Sequence, residues 1–330
     1  MTKTSTATRQ GNDGGMTVGV DVSDGFSSIC ILDREGEVLE EGRVRTTSEG
    51  MGQRFGAMAP CRVVIEAGTH SPWLSRLLSG LGHEVVVANA RKVRLIGEST
   101  QKTDRADAET LARLGRLDPK LLSPVAHRPV EMQVDLAVIR SRAALVAARS
   151  LLVNQVRGTV KAMGGRLPSC STRSFHHKVL GAIPEPLLIA VTPVLAVIEQ
   201  LSKEIDGVDA RIGALIKESY PEARLLMQVD GVGPLISLTY VLTLFDPHRF
   251  QRSRQVGPFL GMTPRQRASG ERSPRLGISK TGNGYLRQLL VNGAHYILGP
   301  FGKDCDLRRF GLAHAGTTGN TKKRAIVAVA

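Results

Sequence analysis

The chain's 330 residues suffice for two domains with their own cores, and a hydrophobic share of 42% excludes wholesale disorder. The formal net charge of +14 is unevenly placed: from Pro247 onward 15 Lys and Arg face three acids (Glu271, Asp304, Asp306), a net of +12 that leaves only +2 for everything before. So lopsided a balance points to a polyanion partner more than to a solvated basic surface, because each neutralised phosphate releases counterions.

Residues 1–16 are polar and Gly-rich, lack the apolar core of a signal peptide, and read as a disordered extension with Met16 as an alternative start. Thr17–Ser23 is an apolar strand interrupted by Asp21. Strands at Ser27–Leu32 and Glu37–Val44 follow, joined by the turn composition Asp33-Arg34-Glu35-Gly36, so three antiparallel strands are expected in succession. Arg62–Ile65 is a fourth strand ending at Glu66-Ala67-Gly68. A helix over about residues 72–81 and a fifth strand, His83–Ala88, imply a parallel addition by a right-handed crossover. Thr103 suits the N-cap of a helix opening Asp104-Arg105-Ala106-Asp107, and Pro119 and Pro124 close the domain.

The middle of the chain is helical. Val191, Val194, Ile198, Leu201, Ile205, Val208, Ile212 and Leu215 alternate spacings of three and four, an unbroken coiled-coil seam. A looser seam runs through Leu136, Ile139, Ala143, Val146, Val153 and Val160, interrupted by Ser150 and Arg157. Two such helices pair within one chain or between chains, and the sequence leaves both open. The most apolar stretch, Leu187–Ile198, is too short to span a bilayer. With the basic residues lying among Gly and Pro, no membrane partner is expected. Gly231-Val232-Gly233-Pro234 precedes an apolar helix, an Arg-, Gly- and Ser-rich run covers residues 251–284, and a helix follows at Tyr285–Leu298. The scattered Cys30, Cys61, Cys170 and Cys305 read as reduced thiols of a cytoplasmic protein.

A carboxylate inside an apolar strand is costly unless compensated, which singles out Asp21. Glu66 ends the strand expected beside it, and Asp104 and Asp107 share a helix face. Four carboxylates from these elements suit hard cations, Mg²⁺ or Mn²⁺, and a pair of such ions stabilises attacking and leaving oxygens in phosphoryl transfer. Asp104 and Asp107 equally suit plain helix N-terminal charges. Gly231 and Gly233 resemble a helix-hairpin-helix turn, whose backbone N–H groups meet DNA phosphate; a plain tight turn fits as well. Aromatic residues are only 4% of the chain, so base stacking is not expected to dominate binding.

Gly19-Val20-Asp21-Val22-Ser23, Ile65-Glu66-Ala67-Gly68 and Lys102-Thr103-Asp104-Arg105-Ala106-Asp107-Ala108 together resemble the DEDD-type insertion-sequence transposases, RuvC-like enzymes also called bridge recombinases. Phe259-Leu260-Gly261-Met262-Thr263-Pro264, Ser269-Gly270, Gly277-Ile278-Ser279-Lys280-Thr281-Gly282-Asn283 and Tyr285-Leu286-Arg287 resemble the same family's C-terminal domain. The resemblance implies an α/β RNase H-like (RuvC-like) N-terminal domain at 17–125, a long helical coiled-coil middle at 126–222 and a mainly α, basic C-terminal transposase domain at 223–330. It implies a metal held by Asp21, Glu66, Asp104 and Asp107, and Ser269 as a nucleophile forming a phosphoserine link to DNA. It further implies double-stranded donor and target DNA, a structured guide RNA and a homo-oligomer, at work in the cytoplasm on the nucleoid. Arg265, Arg267, Arg272, Arg275 and Lys280 lie around Ser269 and suit a scissile phosphate, although a turn serine beside Gly270 has the same composition.

Three rival readings remain. A RuvC-like hydrolase needs the carboxylates but not Ser269, and a non-catalytic nucleic-acid-binding protein needs neither. An actin-like kinase accounts for Gly19–Asp24 but requires a second nucleotide lobe, for which no Gly-rich motif follows residue 125.

Overall fold

Short apolar runs, covered on both faces in the middle of the sheet, set most of the five strands: β1 (Thr17–Asp21), β2 (Phe26–Leu32), β3 (Val38–Arg45), β4 (Arg62–Glu66) and β5 (Glu84–Ala88). The structure is a computed structural model describing residues 15–89, 103–266, 276–316 and 319–330. The strands form one sheet in the order β3-β2-β1-β4-β5. β1, β2 and β3 run antiparallel in succession, while β4 lies parallel to β1 and β5 parallel to β4, as the sequence predicts. Asp33 makes the β2–β3 turn by accepting from the Gly36 and Glu37 amides at 2.7 and 2.8 Å.

Three helices cover this sheet: α1 (Ser48–Gly56), α2 (Ser71–Gly80) and α3 (Asp104–Leu117). The first is absent from the sequence reading. Gly50, Gly52 and Gly56 dilute its helical signal, yet Thr47 caps it by accepting from the Gly50 amide at 3.0 Å, and Met51 and Phe55 bury one face. On one side of the sheet Val18, Val20, Ile29, Ile31, Val63 and Ile65 pack with Met51 and Phe55 of α1 and Leu74 and Leu78 of α2. On the other side Val64 and Val86 pack with Leu111 and Leu114, and Cys30 and Leu32 with Ala108 and Ala112, all from α3.

The four thiols are free, with Cys30 and Cys61 buried. Burial pushes the Cys30 and Cys61 thiols up from 9.0 to about 11, with Glu109 and Glu41 adding to the effect at Cys30. Because the folded value exceeds the unfolded one, the stabilisation is complete below pH 9 and lost as pH climbs toward 11. Urea unfolding between pH 8 and 11 is therefore expected to show a falling midpoint, on the order of 2 kcal/mol per thiol. Cys61→Ala should flatten its share of that slope; an unchanged slope would refute the assignment.

The chain forms two compact units, Met1–Arg128 and Pro129–Ala330. The second is built on α4 (Val130–Ala162), the short α5 (Phe175–Lys178) and α6 (Leu188–Glu218). α4 and α6 pair antiparallel within the chain: Arg142 binds Asp209 at 2.5 and 3.1 Å, and Arg149 donates to Ser202 Oγ at 3.1 Å. Of the predicted seam, Val191, Ile198, Ile205, Ile212 and Leu215 are buried, and Val194 and Val208 pack half-buried against the neighbouring cores, while Leu195 and Ser202 are buried beside them. Arg149 lies in the facing seam and is only 9% exposed; burial pushes its guanidinium below the usual arginine range. Arg142 and Arg149 demand polar partners, which the half-exposed Asp209 and the buried Ser202 supply beside the apolar positions. The helix holding Leu187–Ile198's apolar run also proves longer than that run, and by length and composition alone α6 is sufficient to cross a bilayer.

The remaining helices are α7 (Glu222–Leu226), α8 (Pro234–Leu244), α9 (Val256–Phe259), α10 (Gly284–Leu298), α11 (Asp306–His314) and α12 (Gly319–Val329). α8 shares a core with the paired helices through Leu238, Leu242, Leu136, Ile139, Ile212 and Leu215. Tyr220 ties this end together by donating to Asp135 at 2.6 Å.

Candidate active site

Strand register brings the first two candidate carboxylates side by side. Val20 pairs with Ile65 in the parallel β1–β4 ladder, so Asp21 and Glu66 are the next residues along adjacent strand ends. Asp21 has the parity of Gly19, and Glu66 that of Val64, so both belong to the face that α3 covers.

α3 is held with its N-terminus toward these strand ends. Its C-terminal half is fixed at the opposite edge, where Arg113 donates to Gly36 O at 3.1 Å and Arg116 to Arg34 O at 2.6 Å. Ala108 and Ala112 lie directly over Gly19: a methyl group there would collide with the Ala108 carbonyl oxygen and stand 2.5 Å from the Ala112 nitrogen. The first turn, with Asp104 and Asp107, therefore continues past Gly19 toward the edge that carries Asp21 and Glu66. Thr103 caps it as predicted, accepting from the Ala106 amide at 3.2 Å. The helix N-terminus favours both acids electrostatically. Asp107 is 7% exposed whereas Asp104 is exposed, which separates a buried carboxylate from a solvated one.

The four carboxylates thus share one edge and one face, and an all-oxygen donor set suits a hard divalent cation. Ligand closure is a separate matter: among the described residues no three His, Cys, Asp or Glu side chains stand close enough together to hold a metal ion. The donor chemistry is that of a hard-cation site, but the described side chains do not form a metal-holding group as they stand.

Sequence reasoning missed a connection beside this edge. Trp73 Nε1 donates to His70 Nδ1 at 3.1 Å, which leaves the His70 proton on Nε2, facing Asp24 Oδ1 at 2.9 Å. This bond joins the β1–β2 turn, three residues past Asp21, to the loop four residues past Glu66. Ser71 braces that loop, with the Gly68 amide donating to Ser71 Oγ at 3.0 Å. Trp73 is the chain's one tryptophan, and its position just after Glu66 was the available signal.

In the second unit, Ser269, Arg267, Arg272 and Arg275 lie outside the described residues. The flanking arms run antiparallel: Arg265 N donates to Gly277 O at 3.0 Å, Ser279 N to Thr263 O at 2.9 Å and Lys280 N to Gly261 O at 3.0 Å. Arg265 and Lys280 are exposed on these arms. Gly261 and Gly282, with φ of +70° and +74°, occupy left-handed backbone, and a side chain at either would strike the backbone of the opposite arm or of Phe259. Arg287 fastens the arms to α10 by donating to Leu260 O at 2.8 Å and Thr281 O at 2.9 Å. The motif glycines and Arg287 are thereby accounted for as architecture. Gly231 packs against Gly293 of α10, whereas Gly233 stands in open space at the start of α8.

Part of the C-terminal positive charge is engaged internally. Arg249 is stacked by Phe245, Phe250 and Phe259 at 5.3, 4.9 and 4.3 Å, and its burial lowers its pKa. Arg308 donates to Ile297 O and Gly299 O, and Arg309 pairs with Asp304 and Asp306. The raw count of basic residues therefore overstates what a polyanion would meet.

Comparison with known proteins bears on both units. Residues 18–164, which include all four carboxylates, match the DEDD-type transposase family, and residues 223–301 match the transposase family IS116/IS110/IS902. The chain is 28% identical over 288 residues to a transposase for insertion sequence element IS1111A of Coxiella burnetii, covering 85% of this chain and 77% of that protein. A probable family 20 transposase of Pseudomonas aeruginosa is 27% identical, with 85% and 83% covered. A transposase for insertion sequence element IS1328 of Yersinia enterocolitica gives the same identity and coverage.

Proposed function

Because the chain belongs to the DEDD-type transposases of the IS110 family, an assignment that makes DNA its partner and suggests dependence on a divalent metal, we propose that it cuts and rejoins DNA strands through a serine–phosphodiester link at Ser269. The observation that supports this most is the shared edge of Asp21, Glu66, Asp104 and Asp107, assembled from two parallel strand ends and a helix start. An RNase H-like sheet order carries that edge.

In this reading the four carboxylates hold Mg²⁺ or Mn²⁺, which when bound supplies positive charge for the developing oxyanions. Ser269 Oγ loses its proton and forms a bond to the scissile phosphorus; the P–O bond to deoxyribose breaks, and the leaving oxygen takes a proton. Attack on the phosphoserine by a hydroxyl of a second strand reverses these changes and reseals DNA without external energy. Arg265 and Lys280, with Arg267, Arg272 and Arg275, hold the phosphate, since guanidinium groups engage its oxygens in pairs. Gly231 and Gly233 offer backbone N–H groups to the duplex. A structured RNA encoded by the element selects donor and target, and a homo-oligomer brings the two DNA molecules together on the nucleoid. α4 and α6 form the coiled-coil connection between a catalytic domain at 17–125 and a transposase domain at 223–330.

Purified protein mixed with Mg²⁺, RNA transcribed from the element's flank and junction DNA is expected to give a protein–DNA adduct that survives denaturation. Ser269→Ala should abolish it. Cleavage without an adduct, unchanged in Ser269→Ala, would overturn the serine assignment and leave the second reading, a RuvC-like hydrolase with water as nucleophile. The family assignment gives the kinase reading no support.

A further inference from the structure

The sheet carries a second group of residues on the carboxylate face that no motif marks. Phe26 opens β2 and pairs with Arg45 of β3; Ser28, two residues on, pairs with both Arg43 of β3 and Asp21 of β1. Phe26, Arg43 and Arg45 therefore share a face with Asp21, and the strand spacing and rise put Phe26 ~8 Å from Asp21 along the sheet. Phe26 is 43% exposed, an unusual position for a phenyl ring beside a polar edge. Both guanidiniums approach its ring, the Arg43 carbon at 5.4 Å from the centroid and that of Arg45 at 5.7 Å.

The charges around this ring do not balance. Glu41, next along β3 on the same face, pairs with Arg105 of α3, and Glu40 pairs with Arg54. Among the described residues neither Arg43 nor Arg45 forms an ion pair. Two like charges drawn to one exposed ring repel each other, and a cation–π contact in water is weak compensation. An anion between them reverses the sign of that balance, and a planar π-face next to paired cations is the pattern that holds single-stranded nucleic acid.

We propose that Phe26, Arg43 and Arg45 form a ledge seating one nucleotide of the DNA strand next to the carboxylates, its base against Phe26 and its flanking phosphates on the two guanidiniums. The ledge rests on the reading of that edge as a DNA-cutting site and adds a strand-positioning surface to it. Its action is sequence-tolerant, since every base has a π-face. The ledge holds the strand straight across the ends of β1 and β4.

The test uses the full-length protein and a short fluorescent single-stranded oligonucleotide, with binding followed by anisotropy over a salt series. Arg43→Gln/Arg45→Gln is expected to flatten the slope of log K against log salt by about 1.4, the share of two phosphate contacts on a single strand. Phe26→Leu should weaken binding about tenfold with little change of slope, while Phe26→Tyr keeps wild-type affinity because the ring survives. Melting curves matching wild type show that each variant folds. A double variant with the wild-type slope, or Phe26→Leu with wild-type affinity, overturns the ledge alone if wild type still binds and cuts junction DNA. Wild type that neither binds nor cuts DNA overturns the ledge together with the reading beneath it.

Discussion

Asp21→Asn is expected to lower DNA strand cleavage about a thousandfold while the protein stays folded and bound to DNA. The substitution keeps the side chain's size and removes one charge at the end of β1, on the face shared with Glu66 and the start of α3. A carboxylate that helps to hold a divalent ion is worth several kcal/mol of transition-state stabilisation, and each 1.4 kcal/mol is about tenfold in rate. Because asparagine fills the same volume, the melting temperature should change little. Affinity for DNA should hold or rise, because the phosphate backbone meets less repulsion. Asp33→Ala provides the contrast. Asp33 accepts two amides in the β2–β3 turn, so its loss should cost stability and leave cleavage nearly intact. Gel-based cleavage kinetics with thermal melts separate the two patterns, and full activity in Asp21→Asn would remove Asp21 from the site.

The second large effect is expected from Gly19→Ala. Its methyl group would strike the Ala108 carbonyl and crowd the Ala112 nitrogen, both rigid helix backbone rather than yielding side chains. The only relief is displacement of α3, the helix that carries Asp104 and Asp107. Overpacking of this kind costs about 3 kcal/mol, which lowers the melting temperature of a domain of this size by roughly 10 °C or more. Cleavage should fall as well, beyond what unfolding accounts for, because the helix start moves relative to Asp21 and Glu66. Gly25→Ala has open space around it and should be nearly neutral. Urea denaturation of the two variants decides the matter: a Gly19→Ala protein as stable as wild type would mean that α3 does not lie on β1 as described.

Much of the first unit was legible because its signals are local. The apolar run interrupted by Asp21, the turn at Asp33–Gly36, and the strand–helix–strand run from Arg62 to Ala88 each fix their geometry within a few residues. The carboxylates were legible for the same reason, Asp21 as a charge inside an apolar strand and Asp104 and Asp107 as the start of a capped helix. α1 was not legible, because three glycines weakened its pattern and the packing of Met51 and Phe55 against α2 and the sheet, which stabilises it, is not visible locally. Neither was the His70–Asp24 bond, whose partners lie 46 residues apart.

The sequence by itself determined the strand order, the two long helices, the family and the residues that its motifs name. Tertiary structure alone decided which face of each element does the work. The pairing of α4 with α6 within one chain was one such decision, set with the help of Arg142 and Arg149, 67 and 53 residues from the Asp209 and Ser202 that answer them. Likewise, only the packing of α3 over Gly19 sets Asp104 and Asp107 toward the edge of Asp21 and Glu66, and only strand register sets Phe26 beside Arg43 and Arg45. Periodicity is a property of one segment. A shared edge is a property of several segments at once, fixed by the steric and polar demands that each makes on the others.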